Sequence, residues 1–152
     1  MDHTRVKRCL DAGMSLLVAT VNAENVPSCC RAVALASADD LATVTVYLPL
    51  ATSHETVQNI ATTRRLAIGA TYPHDNFSIQ LKGTAGDTRL AREDEAAFVR
   101  SRLDAFADVL DAIGIPRRVT VNASCWPAFA VDMRVEQVFD QTPGPNAGTR
   151  LR

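Results

Sequence analysis

Leu16-Leu17-Val18-Ala19-Thr20-Val21, Asn22-Ala23-Glu24-Asn25-Val26-Pro27, Ser28 to Ala36, Ala42 to Leu48 and Thr52-Ser53-His54-Glu55 follow one another with almost no spacer, and this order decides the fold. The first run, rich in β-branched and aliphatic residues, reads as a buried strand. Asn22 to Pro27 reads as a tight connection, with Asn25 able to adopt a left-handed backbone. Ser28 to Ala36 and Ala42 to Leu48 read as the second and third strands, and Thr52 opens a helix expected to reach about Thr62. A polar helix start just beyond sheet strands presents free N–H groups and the positive end of a dipole. Such a place can hold an anionic group such as a phosphate.

Outward from this stretch the signals are simpler. Thr4 to Ala12 reads as a helix stopped by Gly13. Leu66 to Tyr72 is a fourth strand, Tyr72-Pro73-His74-Asp75-Asn76 a turn cluster, and Phe77 to Ala85 an alternating fifth strand that continues through Arg89. Gly83 inside that strand points to a bulge or a close backbone approach. From Ala91 to Ile113 the period becomes helical, with Val99, Leu103, Phe106, Leu110 and Ile113 in one stripe, as one helix or two. Phe129 to Phe139 is the last strand, and Thr142 to Gly148 reads as coil. The expected fold is α+β: about six strands, mostly antiparallel because the connections are short, curled into a small barrel with flanking helices. Residues 1–141 form one domain and 142–152 a coil tail.

Composition narrows the function classes. With 152 residues the chain can bury a core without metal or disulfide support. Its 16 basic and 17 acidic residues nearly cancel and form no basic run, which argues against nucleic acid as a main partner. No apolar stretch approaches the roughly 18 residues of a membrane span, and Met1-Asp2-His3-Thr4-Arg5 lacks the apolar core of a signal peptide, so a cytoplasmic setting is expected. Cys9, Cys29, Cys30 and Cys125 form no ligand pattern, and the adjacent pair point to opposite strand faces. His3, His54 and His74 are scattered, so no metal site is expected.

The order of elements, together with three short pieces, resembles the pyridoxamine 5′-phosphate oxidase-related family of FMN-binding split β-barrels. The pieces are Ala23-Glu24-Asn25-Val26-Pro27 with Arg31 on the next strand, Tyr47-Leu48 followed by Thr52-Ser53 and Asn59-Ile60, and Gln80-Leu81-Lys82-Gly83. The resemblance spans Val6 to Asp140. It implies a split barrel, a homodimer, and FMN at the subunit interface serving oxidoreduction of a small molecule. Three positions depart from the family pattern. Asn25 stands where Gly is usual. Thr56 stands where a basic residue is frequent, and His54 where Arg is frequent; both of these remove positive charge from the expected phosphate end.

The candidate cofactor residues are Arg31, Thr52, Ser53, His54, Gln80 and Lys82; no catalytic acid, base or nucleophile constellation is present. Thr52 to Glu55 also fits a capping box, which would place a carboxylate where the phosphate should sit. Arg31, in line with Val33 and Leu35, suits either an acid across a subunit interface or the cofactor. Gln80 and Lys82 are either solvated or contacts to the flavin, with Gln80 at the ring's polar edge. Trp126 packs in the core or an interface, or covers a partner's cofactor. Two rival functions remain. One is the same barrel with another cofactor, deazaflavin or haem, the latter needing His3, His54, His74 or a Cys as axial ligand. The other is a non-catalytic or stress-related binding module.

Overall fold

A computed structural model describes residues 3–38 and 40–152; Met1 and Asp2 of the expected domain, and the side chain of His3, lie outside the described residues. The elements in chain order are α1 (His3–Ala12), β1 (Ser15–Val21), β2 (Pro27–Ala32), β3 (Ala34–Ser37), β4 (Thr43–Pro49), α2 (His54–Thr63), β5 (Arg65–Tyr72), β6 (Phe77–Leu90), α3 (Ala96–Ala112) and β7 (Ala128–Asp140). One antiparallel sheet of seven strands, in the order β2-β1-β5-β6-β7-β4-β3, curls into a half-barrel.

The seventh strand is a correction. Ser28 to Ala36, expected as one strand, changes partner at Val33: β2 pairs with β1, whereas β3 pairs with β4. Val33 N–H donates to the Tyr47 carbonyl at 3.0 Å, turning the chain at the corner. The bend also resets the side-chain parity. Cys30 and Ala32 are buried before it and Ala34 and Leu35 after it, so Arg31 does not share a face with Leu35. It points outward with Cys29.

The β1–β2 turn is set by Asn22, whose Oδ1 accepts from the N–H groups of Glu24 (3.0 Å) and Val26 (2.9 Å) while Asn25 sits at φ 62°. The barrel interior is filled by Val18, Cys30, Val46, Ile68, Leu81, Met133 and their neighbours. Helices close both ends. α1 inserts Val6, Cys9 and Leu10, and its Arg5 reaches Asp75 (3.1 Å) in the β5–β6 turn. α2 inserts Ile60, and its Thr63 hydroxyl donates to the Val21 carbonyl (3.0 Å) at the other end.

α3 is one helix. It lies outside the barrel, with Val99 and Leu103 packed against Ala34, Tyr47 and Ala130. Its start is anchored by Glu95, which accepts from both Arg89 terminal nitrogens (2.7 and 2.8 Å), from Arg92 N–H (2.7 Å) and from the Tyr47 hydroxyl (2.9 Å). These bonds, Arg89 foremost, hold the Glu95 carboxyl down at about 2. Burial, seconded by Glu95, pushes the Tyr47 phenol up to about 12. The tail, expected as coil, turns back: Leu151 N–H donates to the Val138 carbonyl at 2.7 Å, and the Arg152 guanidinium bonds the Asp40, Leu41 and Val135 carbonyls.

Candidate functional site

Alternation along the strands sends one set of side chains into the core and leaves the other on the outer face of β2-β1-β5-β6. There the register aligns Arg31, Leu17, Gly69 and Gln80 in one cross-strand row, and Cys29, Ala19, Ala67 and Lys82 in the next. Arg31 and Gln80 stand three strand spacings apart, roughly 14 Å at about 4.8 Å each. Where β5 crosses this floor, Gly69 and Ala67 carry almost no side-chain bulk. A Cβ added at Gly69 would meet nothing within 4 Å, while Leu17 stands up from the floor with 45% of its surface exposed.

Alongside β1 and β2 the floor deepens into a groove of about 1080 Å³, a volume suited to a cofactor or substrate. Its near side is formed by Ser15, Cys29, Arg31 and Thr52, and its far wall by Phe106 and Leu110 on α3, by Ile113 just past its end and by the loop that follows. Close approach makes this wall possible. Gly13, at φ 101°, lies so near the α3 backbone that an added Cβ would collide with Phe106 N.

The expected cofactor residues divide. Arg31 and Thr52 meet at the groove, where Arg31 Nη1 donates to Ser15 Oγ at 3.3 Å. Gln80 shares the row of Arg31, and Gln141 Nε2 lies 3.5 Å from its Oε1. Lys82 lies in the neighbouring row over a second, smaller hollow, its ammonium 4.8 Å from the centre of the Phe139 ring. His54 faces outward, with a ring nitrogen 2.9 Å from Gln58 Nε2. Ser53 is wholly buried and its hydroxyl donates to the Pro49 carbonyl at 2.7 Å, so only its backbone faces the helix start.

The capping box is absent. α2 begins after Ser53, and among the described residues the Ser53 side chain makes no capping bond to its first turn. Ser53 is turned into its own loop, and the amides at the head of α2 are left free of Glu55. Thr56 and Asn59 face inward. Asn59 Nδ2 donates to Thr20 Oγ at 3.2 Å, and Thr56 bonds the Cys30 thiol, whose pKa burial raises against that bond. Thr56, where the resembled family often has a base, is thus a buried hydroxyl on the underside of the helix. Among the described residues Arg31 is the one cation lining the groove, and no group of three potential metal ligands occurs.

Leu17, Gly69 and the α3 wall were not picked out by sequence reading. Leu17 was hidden inside a uniformly apolar run. The wall's signal was present in Phe106, Leu110 and Ile113, which continue the α3 stripe past the length that the barrel can cover.

No protein-family model and no curated protein matches the chain. Solved structures match its fold. HupZ of Group A Streptococcus superposes with a TM-score of 0.59 at 19% identity, over 97% of this chain and 100% of its own. A general stress protein 26-related protein of the pyridoxinephosphate oxidase family, from Clostridium acetobutylicum, gives 0.57 at 12% identity, over 99% and 97%. An FMN-binding protein from Syntrophomonas wolfei gives 0.56 at 11% identity, over 90% and 83%. The chain therefore has the fold of the pyridoxamine 5′-phosphate oxidase-like proteins, some of which are FMN-binding.

Proposed function

We propose that this chain binds FMN on the outer face of β2-β1-β5-β6, beneath a second copy of itself, and serves a two-electron oxidoreduction of a small molecule in the cytoplasm. The observation that carries the reading is the open floor between Arg31 and Gln80, where Gly69 leaves room for a flat ring beside the groove. Its fold-mates include a protein described as FMN-binding. Four unpaired cysteines suit a reducing compartment.

The residues present fit the group. Arg31 and the Thr52 hydroxyl line the groove beside the head of α2, whose uncapped first-turn amides, those of Ser53 and His54 included, favour an anion. Gln80 offers an amide to the polar edge of a ring, and Leu17 packs against its face. Phe106 and Leu110 keep water from that side. FMN supplies two-electron acceptance when bound, and the protein orients it and tunes its surroundings.

One observation favours a non-catalytic binding module on the same barrel. Ser53 and Thr56 are committed inward, which leaves Arg31 to carry most of the charge. A charge-assisted bond to phosphate contributes roughly 1.5–3 kcal/mol, so one lost cation weakens binding by about tenfold or more without abolishing it.

The visible spectrum of the purified chain, before and after added FMN, tests the reading and separates flavin from deazaflavin or haem. A dissociation constant in the low micromolar range supports a resident flavin. One weaker than about 100 μM, near −5.5 kcal/mol, sinks it and leaves the binding module.

A further inference from the structure

The groove of about 1080 Å³ exceeds the roughly 300–1,000 Å³ that ligand pockets occupy, and its two sides differ in chemistry. Arg31 stands on the near side. Across from it, Phe106, Leu110, Ile113, Ile115 and Val119 make an apolar wall, and among the described lining residues no carboxylate, lysine or histidine joins Arg31.

One polar side chain interrupts that wall. Thr120 follows the turn at Arg117–Val119, lines the groove and is only 7% exposed. Its backbone groups are spent: its N–H donates to the Arg117 carbonyl and its carbonyl accepts from Ala123 N–H, both at 2.9 Å. Its hydroxyl makes no hydrogen bond among the described residues. The one side-chain atom there that is sealed from solvent without a partner is Arg102 Nε, so the Thr120 hydroxyl still opens on the groove. The loop that carries it is fastened to α3. Arg117 pairs with Asp104 (3.5 Å) and with Asp108, and its Nη1 donates to the Asp104 carbonyl at 3.3 Å. A nearly buried hydroxyl whose proton has no acceptor is costly, and a carbonyl oxygen on a ligand supplies one. An ionised group against this wall would find no counter-charge, whereas apolar surface gains from burial there.

We propose that the far half of the groove is the substrate pocket, and that the substrate is an uncharged, largely apolar molecule. It packs on Phe106 and Leu110 and takes a hydrogen bond from the Thr120 hydroxyl on a carbonyl oxygen. That the bound molecule is a substrate rests on the flavin reading; the pocket for an apolar carbonyl compound does not. Thr120 is thus a specificity residue set apart from Arg31, with the groove between them.

The test uses the full chain in equilibrium dialysis. Acetylnaphthalene, ethylnaphthalene and naphthoate, substituted at the same ring position, present one ring system with a carbonyl, without oxygen and with a charge. Each is measured against the parent, Thr120→Val and Thr120→Ser, with FMN titrated in parallel. The parent is expected to bind acetylnaphthalene more tightly than naphthoate. Thr120→Val should lose about fivefold or more in affinity for acetylnaphthalene, the effect of one hydrogen bond, while ethylnaphthalene and FMN stay within twofold. Thr120→Ser, which keeps the hydroxyl, should recover the parent's affinity to within twofold. No saturable binding of acetylnaphthalene to the parent, a preference for naphthoate, an unchanged affinity in Thr120→Val, or equal losses for both neutral probes overturns the inference. Loss of FMN affinity in Thr120→Val gives the hydroxyl to the flavin and overturns the substrate assignment. A parent that shows the expected naphthalene pattern but binds no FMN sinks the flavin reading and leaves the apolar pocket standing.

Discussion

Ser53 and Arg31 show how one residue's orientation decides its role. The Ser53 hydroxyl, buried on the Pro49 carbonyl, acts on the fold. Ser53→Ala is expected to lower unfolding free energy by about 1 kcal/mol and to change FMN affinity less than twofold, read by denaturant titration and flavin fluorescence. Arg31→Ala is expected to do the opposite, weakening FMN at least tenfold at unchanged stability; equal affinities in variant and parent would misplace the phosphate. Glu95 gives a pH prediction. Its folded pKa of about 2 lies below the ordinary 4.5, so its contribution is full above pH 4.5 and is lost as pH falls toward 2. Glu95→Gln should cost on the order of 2 kcal/mol at pH 7, with the gap to the parent closing between pH 4.5 and 2 in thermal melts. Arg31 and Gln80 were legible as polar residues on strands otherwise rich in apolar ones. Which way Arg31 points was not, because that depends on a bend two residues later.

Elements were more legible than their faces. The helices, the order of strands and the bulge at Gly83 follow from period changes and a misplaced glycine, all local signals. The division at Val33 does not, since Ser28 to Ala36 contains no Gly or Pro and the break is imposed by Tyr47 on another strand. The Thr52–Glu55 capping box failed because the helix begins one residue later than that box requires, with Ser53 rather than Thr52 at the cap and the Ser53 hydroxyl turned to the Pro49 carbonyl. Two glycines mark where elements touch. Gly83→Ala should destabilise by about 2–3 kcal/mol, because the new methyl meets backbone rather than a movable side chain. Gly13→Ala should be at least as damaging, combining left-handed strain with a clash against α3. Chemical denaturation midpoints check both; a loss under 0.5 kcal/mol at either, about the size of an ordinary surface change, would mean that the backbone yields.

At the scale of the whole molecule, four of the eight exposed large apolar residues among the described residues lie on the floor and the groove wall: Leu17, Ile113, Ile115 and Val119. We expect a homodimer covering them. Light scattering at micromolar concentration should give twice the chain mass, and Leu17→Asp should shift it toward monomer with loss of FMN affinity; a monomeric parent contradicts the expectation. Dimerisation could be expected from the apolar content, but the surface used could not, because it is assembled from strands far apart in sequence. The corner at Val33 has a wider consequence. It joins the two outermost ribbons of the sheet, β2 and β3, head to tail, so neither presents a long free margin to another molecule. Prising that junction open would bare both margins together, and each is a template for intermolecular pairing. The amide that Val33 gives to Tyr47 is one of the bonds that pins this corner shut.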